Sequence, residues 1–452
     1  MKRKNRRICS GDIIFLRKYF VAFYIFSIFD KRYNKSSKYF PMKNILILGA
    51  GTAGTLIANK LRKRLSKKEW SITIVDENKE HYYQPGFLFI PFGIYNQNDV
   101  IKPKLKFIPK GVDFIYSKID KILPQENKVL LEEGKKELKY DFLIIATGTR
   151  IAPEETPGLL GELWHKDIFD FYTVEGAVAL AERLKSFNGG KLVVNITELP
   201  FKCPVAPLEF IFLADTYFKK RGIRDKVELT LVTPLPGAFT KPIATKMLSG
   251  LMEEKNIKIV PDFNIAEVDN QGKRILDYED KAVEFDILVT IPTNKGADMI
   301  ERSSMGDDLN FVPTDKHTLQ AIGHENIFVL GDAANLPTSK AGSVAHFAAD
   351  FLEENLMSAI KGEPLKAKFD GHANCYIVTS YSKGTLIDFN YETEPLPGRY
   401  PYWIGPFGLL KDTRLNYFGK LFFKWMYWNL LLRGHHLPVT SHMSMCCKEK
   451  PE

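Results

Sequence analysis

The run Asn44-Ile45-Leu46-Ile47-Leu48-Gly49-Ala50-Gly51-Thr52-Ala53-Gly54 joins a short apolar segment, suited to a buried parallel strand, to a glycine-rich turn. A helical stretch follows to about Leu65, and a second apolar run, Ile72 to Val75, ends on Asp76. Glycine at these three positions permits a tight turn, close approach of a pyrophosphate, and close packing of helix on strand. The acid at the end of the second strand accepts hydrogen bonds from a ribose. The glycine pattern alone is a weak sign. Strand, turn, helix and Asp76 in this order make a strong one for a dinucleotide-binding domain.

Two later segments have the same character. Tyr140-Asp141-Phe142-Leu143-Ile144-Ile145-Ala146-Thr147-Gly148 is a strand running into a small-residue turn, and Asn326-Ile327-Phe328-Val329-Leu330-Gly331-Asp332 is a strand ending on Gly-Asp. Between them strands and helices alternate again: Lys191 to Ile196, a helix from about Val205 to Arg221, Val227 to Val232, and Phe285 to Ile291. The expected class is α/β, with two Rossmann-like domains and a C-terminal amphipathic segment for the membrane surface. Residues 42–155 and 296–362 would form the first domain and residues 156–295 the second, inserted into it. Residues 363–452 would be a C-terminal segment, and residues 1–41 a basic extension.

The formal charge of +9 resides in that extension, where 11 Lys and Arg stand against Asp12 and Asp30, leaving the other 411 residues neutral. A nucleic-acid partner needs positive charge arranged on the folded surface, so none is expected. The uncharged aromatic run Tyr19 to Phe29 has eleven residues, where a membrane span needs about 20. No good signal-cleavage site follows it. The extension reads as upstream sequence or a misassigned start, with a membrane-touching arm as the alternative. Of the five cysteines, Cys9, Cys446 and Cys447 lie in the terminal arms and only Cys203 and Cys375 in the body. With no Cys-x-x-Cys pair and no His cluster, no metal site is expected.

A second domain that binds NADH would carry another glycine turn after its first strand. Here the strand runs into Asn195-Ile196-Thr197-Glu198-Leu199-Pro200-Phe201-Lys202-Cys203-Pro204-Val205-Ala206-Pro207, without a glycine. A cysteine stands there instead, beside Lys202 and ahead of a helix, where cation and helix dipole are expected to favour its thiolate.

The chain resembles the sulfide:quinone oxidoreductases over residues 42 to 440. The resemblance rests on the first glycine turn, Tyr83-Gln84-Pro85, Phe201-Lys202-Cys203-Pro204, Gly331-Asp332-Ala333-Ala334-Asn335-Leu336-Pro337-Thr338-Ser339-Lys340, Gly371-His372-Ala373-Asn374-Cys375, and Tyr427-Trp428-Asn429. It implies FAD held by Gly49, Gly51, Thr52, Ala53, Gly54, Asp76, Gln84, Thr147, Gly148, Gly331, Asp332 and Lys340. Asp332 would meet the ribityl chain. It also implies that Cys203 and Cys375 pair on one flavin face, that sulfide opens their disulfide, and that a quinone takes the electrons. Cys203 is assigned to flavin attack and Cys375 to the persulfide. Some relatives attach FAD through a cysteine or use a third redox cysteine in the first domain. Residues 42 to 202 contain none, so noncovalent FAD and a two-cysteine mechanism are expected. Lys340 is placed near the flavin or quinone, with a solvated lysine as the alternative. Glu209 is a proton relay or a surface carboxylate, and His346 and Phe347 are candidates beside the quinone.

After the linker Pro395 to Gly408, the stretch Arg414 to Arg433 sets Phe418, Leu421, Phe422, Trp425, Trp428 and Leu432 at helical spacing, with Lys420 and Lys424 on another face. About 20 residues with several charges suit an interfacial helix better than a span. Packing on the enzyme's own core or at a dimer contact is the alternative. Peripheral attachment to the inner (cytoplasmic) membrane surface, side undetermined, and a homo-oligomer are expected. A type II NADH:quinone oxidoreductase, the flavoprotein half of a soluble sulfide dehydrogenase, and a flavin redox sensor are the competing readings.

Overall fold

The computed structural model describes residues 42–401, 405–437 and 439–449. The expectations for residues 1–41 lie outside the described residues. The first sheet is parallel throughout, in the order Ile327–Val329, Phe142–Ile145, Lys43–Leu48, Trp70–Asp76, Asp113–Tyr116. Its central strand is apolar on both faces because both are covered: Ile45 and Ile47 enter one core cluster, Leu46 and Leu48 another. The helix Thr52–Arg64 starts directly after the strand and packs back on it. Gly49 has φ +92°, and a Cβ there would sit 2.5 Å from the Ala146 carbonyl oxygen. A Cβ on Gly54 would lie 1.8 Å from the Gly49 carbonyl oxygen, so only glycine lets helix and strand come this close.

A second parallel sheet follows the same plan, in the order Ile168–Phe169, Ile287–Ile291, Gly190–Ile196, Val227–Val232, Ile257–Val260. The chain leaves for it along Thr149–Ile151 and returns along Asn294–Gly296, and these two short strands pair antiparallel. The helix Ala206–Lys220 fills the space between this sheet and the C-terminal strands. Its Phe210 is fully buried, stacked on Phe171 at 5.0 Å and tilted against Phe92 at 5.0 Å.

Beyond the long helix Gly342–Ile360, Ala373–Val378 pairs antiparallel with Gly384–Phe389. The last helix, Arg414–Met426, is capped by the Thr413 hydroxyl, which accepts from the Asn416 amide, and it runs into a π-turn at Tyr427–Leu431. That turn corrects the expected amphipathic face. Phe418, Phe422 and Trp425 point outward, but Trp428 and Leu432 are buried. The wider π-turn carries Trp428 off the line of Trp425 and onto Phe107, at 5.1 Å and 25° between rings. Lys420 lies on another face than these rings, as expected, and is buried.

Phe210 packs across several elements at once, so Phe210→Ala should cost ~3–5 kcal/mol. Urea unfolding would measure it. A loss below about 1 kcal/mol would show that this ring does not hold the helix in place.

Candidate active site

A cleft opens between the first glycine turn and the C-terminal helix. Of the expected cofactor residues, Gly49, Gly51, Thr52, Ala53, Asp76, Gln84, Thr147, Gly148, Gly331, Asp332 and Lys340 line it, together with Cys203 and Glu209. Gly54 lies behind the lining, where it seats the helix. His346 and Phe347 are buried in Gly342–Ile360 outside the lining. Phe347 stacks on His372 at 4.0 Å, and neither of the two faces the cleft. Phe418, Phe422 and Trp425 stand on the outer surface, and Trp428 belongs to the core.

The adenosine end of the cleft fits a dinucleotide. The helix Thr52–Arg64 starts at Gly51 with no side-chain cap, so its first amides are left for a ligand, and nothing lies within 4 Å of where a Gly51 Cβ would be. Asp76 accepts from the Ala50 amide at 2.7 Å and pairs with Lys104 at 2.6 Å. Lys104 is buried, and sequence reasoning missed it because it follows Asp76 by 28 residues with no motif around it.

Lys340 is not a solvated lysine. Its ammonium donates to the carbonyls of Asp332 and Ala334, at 2.9 and 3.0 Å, and lies 3.6 Å from the centre of the Phe311 ring. Burial lowers its pKa to about 8, against the pull of Asp332. Its carbonyl accepts from the Cys203 amide at 2.7 Å, so the Leu-Pro-Thr-Ser-Lys stretch is tied directly to the cysteine turn.

Cys203 itself has φ +53°, a left-handed conformation uncommon for a residue with a Cβ. Its thiol is not a ready thiolate. Burial raises its pKa to about 11, outweighing the lowering by Lys420 and the Ala206 amide. The helix end and Lys202 therefore act as expected but do not win, and Lys420 adds a second cation facing the thiol. The Lys202 ammonium also lies 5.9 Å from the Tyr172 ring. Cys375, on the strand Ala373–Val378, is raised to about 12 by burial and by the neighbouring Cys203. Both cysteines are free thiols.

Lys420 lies, as the helical spacing indicated, on another face than the outward rings, and that face is buried. Its ammonium reaches both Glu209 oxygens, at 2.8 and 2.9 Å, and the Tyr376 carbonyl at 3.3 Å. Glu209 also accepts from the Val378 amide at 2.8 Å. Glu209 is fully buried, so it is no surface carboxylate. Burial raises its pKa, with Lys420 opposing. Two partners on the strand of Cys375 thus place a cation and an anion beside both sulfurs.

Tyr427 closes the other wall. Its hydroxyl bonds Thr52 Oγ1 at 2.7 Å and His81 Nε2 at 2.7 Å. The only available signal for it was the Tyr-Trp-Asn run.

Known proteins resemble this arrangement. The pyridine nucleotide-disulphide oxidoreductase family matches residues 43–194. A protein named sulfide:quinone oxidoreductase, mitochondrial, from Dictyostelium discoideum is 31% identical over 396 residues, covering 86% of each chain. The chain belongs to the sulfide:quinone oxidoreductase family. The mouse protein of the same name is 29% identical, again over 86% of each chain. The crystal structure of the sulfide:quinone oxidoreductase from Aquifex aeolicus superposes with a TM-score of 0.74 at 20% identity, over 87% of this chain and 92% of that one, which supports the fold. As a family member the chain is a flavoprotein oxidoreductase.

Two outcomes follow from the charges. Lys420→Met removes the cation that lowers the Cys203 pKa, so alkylation of reduced protein by iodoacetamide should need a higher pH than in wild type, and Lys420→Arg should restore the profile. Unchanged profiles in all three would remove Lys420 from the electrostatics of the site. His81 is kept neutral, its pKa lowered from 6.5 to about 3 by burial and then by Lys104. A folded pKa below the unfolded one gives stability that is complete above pH 6.5 and is lost as the pH falls toward 3, at ~1.4 kcal/mol per pH unit. Urea unfolding of His81→Gln at a series of pH values from about 7 to 4 should show that slope reduced.

Proposed function

We propose that this chain binds FAD noncovalently in the cleft and transfers electrons from sulfide, through Cys203 and Cys375, to a membrane quinone. The observation that carries the reading is Cys203: it occupies the wall of the flavin cleft at the turn where an NADH-binding domain needs glycine. Bound FAD would accept the two electrons released when the Cys203 and Cys375 thiolates close their disulfide again, after the sulfane sulfur has left to a nucleophilic acceptor, and would pass them to the quinone.

The chain's own groups account for the rest. Hydrosulfide attacks the Cys203–Cys375 disulfide at Cys375, a new S–S bond forms there as a persulfide, and Cys203 leaves as thiolate. A buried thiolate is costly, as the raised pKa of Cys203 indicates. Lys420 supplies the compensating positive charge, and Glu209 holds Lys420 in place and can take or return a proton. Lys340 keeps the cysteine turn in register and sets a cation beside Asp332. The backbone amides at the start of Thr52–Arg64 hold the pyrophosphate, and Asp76, fixed by Lys104, takes a ribose.

No described helix is long and apolar enough to cross a membrane. The outward rings of Phe418, Phe422 and Trp425 support attachment to one leaflet, with the inner side of the same helix, at Phe423 and Tyr427, forming the cleft wall. On this reading the quinone would approach from the leaflet side of the helix, toward a flavin on its inner side. The rival, a type II NADH:quinone oxidoreductase, lacks its glycine turn here.

Anaerobic stopped-flow absorbance tests the reading. Sulfide should bleach the flavin, decyl-ubiquinone should restore it, and NADH should do neither. Cys203→Ser and Cys375→Ser should each slow bleaching by at least ~10²-fold. Rapid reduction by NADH with sulfide inert would move the assignment to the rival.

A further inference from the structure

The outer face of the C-terminal helix is a row of unpartnered rings. Phe418 and Phe422 are parallel within 9° at 6.3 Å, Phe422 and Trp425 within 15° at 5.4 Å, and Leu415 continues the row. A second element reaches the same edge, the segment Lys102-Pro103-Lys104-Leu105-Lys106-Phe107. Phe107 stacks on Trp428, and the Lys102 ammonium lies 4.5 Å from the same indole, so the segment is clamped to the end of the helix. The short 3₁₀ turn Lys104–Lys106 then sorts its side chains: Lys104 turns in to Asp76, while Leu105 turns out and is 65% exposed.

Three cations gather at this edge. Besides burial, the charges of Lys106 and Lys424 disfavour protonation of Lys102, which places the three close together. Lys424 is partly offset by Asp99 at 3.4 Å. Lys102 and Lys106 have no ion-pair partner among the described residues.

We infer that this edge, Leu105 with the ring row and Lys102 and Lys106 beside it, is built for an anionic bilayer. The inference rests on the membrane attachment proposed above and adds the lipid class and a second contact element. Apolar side chains next to unpaired lysines match acyl chains beside phosphate headgroups, whereas a two-fold contact with a second copy would bring like charges together. Lysine stems can lie along the apolar boundary while their ammonium groups reach the headgroups.

The test is sedimentation of the full-length, flavin-loaded protein with phosphatidylcholine vesicles, with and without one-third phosphatidylglycerol, at low and high salt. Binding should be tighter to the anionic vesicles and weakened by salt. Lys102→Glu/Lys106→Glu should lose that gain, about fivefold per lysine, the equivalent of ~1 kcal/mol each, while keeping neutral-vesicle binding and sulfide bleaching. The milder Lys102→Gln/Lys106→Gln should show the same loss at reduced size. Leu105→Asp should weaken binding to both vesicle types. Equal wild-type binding to both compositions, or an anionic preference that survives both double variants, overturns the inference and leaves the membrane reading standing. Binding to neither vesicle overturns both.

Discussion

The ion pair between Lys420 and Glu209 joins three elements: the helix after the cysteine turn, the strand of Cys375, and the C-terminal helix. Both groups are out of water, and their remaining capacity is spent on the backbone of the Cys375 strand, at Tyr376 and Val378. Replacing one partner of such a pair leaves a buried charge and costs on the order of 3–5 kcal/mol. The pair therefore constrains where the sulfurs lie as much as it sets their electrostatics. Raised thiol pKa values fit this role, since a thiolate formed at so buried a site needs a counter-charge already in position.

Much of this was legible in the linear chain, for local reasons. The strand, glycine turn, helix and Asp76 are dictated by steric limits that act within a few residues, and the structure places them in one cleft wall. The missing glycines before Cys203 were readable on the same grounds. What the chain hid depends on distant partners. Helical spacing set Lys420 apart from the ring row but not its burial, because a wheel drawn on one helix knows nothing of a buried carboxylate 211 residues earlier. Trp428 was misplaced because a π-turn adds a residue to the turn, which no periodicity count at 3.6 residues can register. The thiolate expected at Cys203 weighed a helix end and a neighbouring lysine correctly in sign, but left out desolvation, the larger effect.

The two dinucleotide-type sheets share one strand plan but use it differently. In the first, the turn after the leading strand is stripped of side chains so that a ligand can come close. In the second, the corresponding turn is filled by Phe201, Lys202 and Cys203, and it reaches into the first domain's cleft through the backbone bond from Cys203 to Lys340. The place held by a glycine turn in the first sheet thus carries a cysteine in the second.

Tyr427 gives the cleft a further property. Its hydroxyl bridges Thr52 and His81, 375 and 346 positions earlier, so one wall of the cleft ties the turn after the C-terminal helix to the first glycine turn. Unseating that turn would break both bonds at once and uncover the start of the helix Thr52–Arg64.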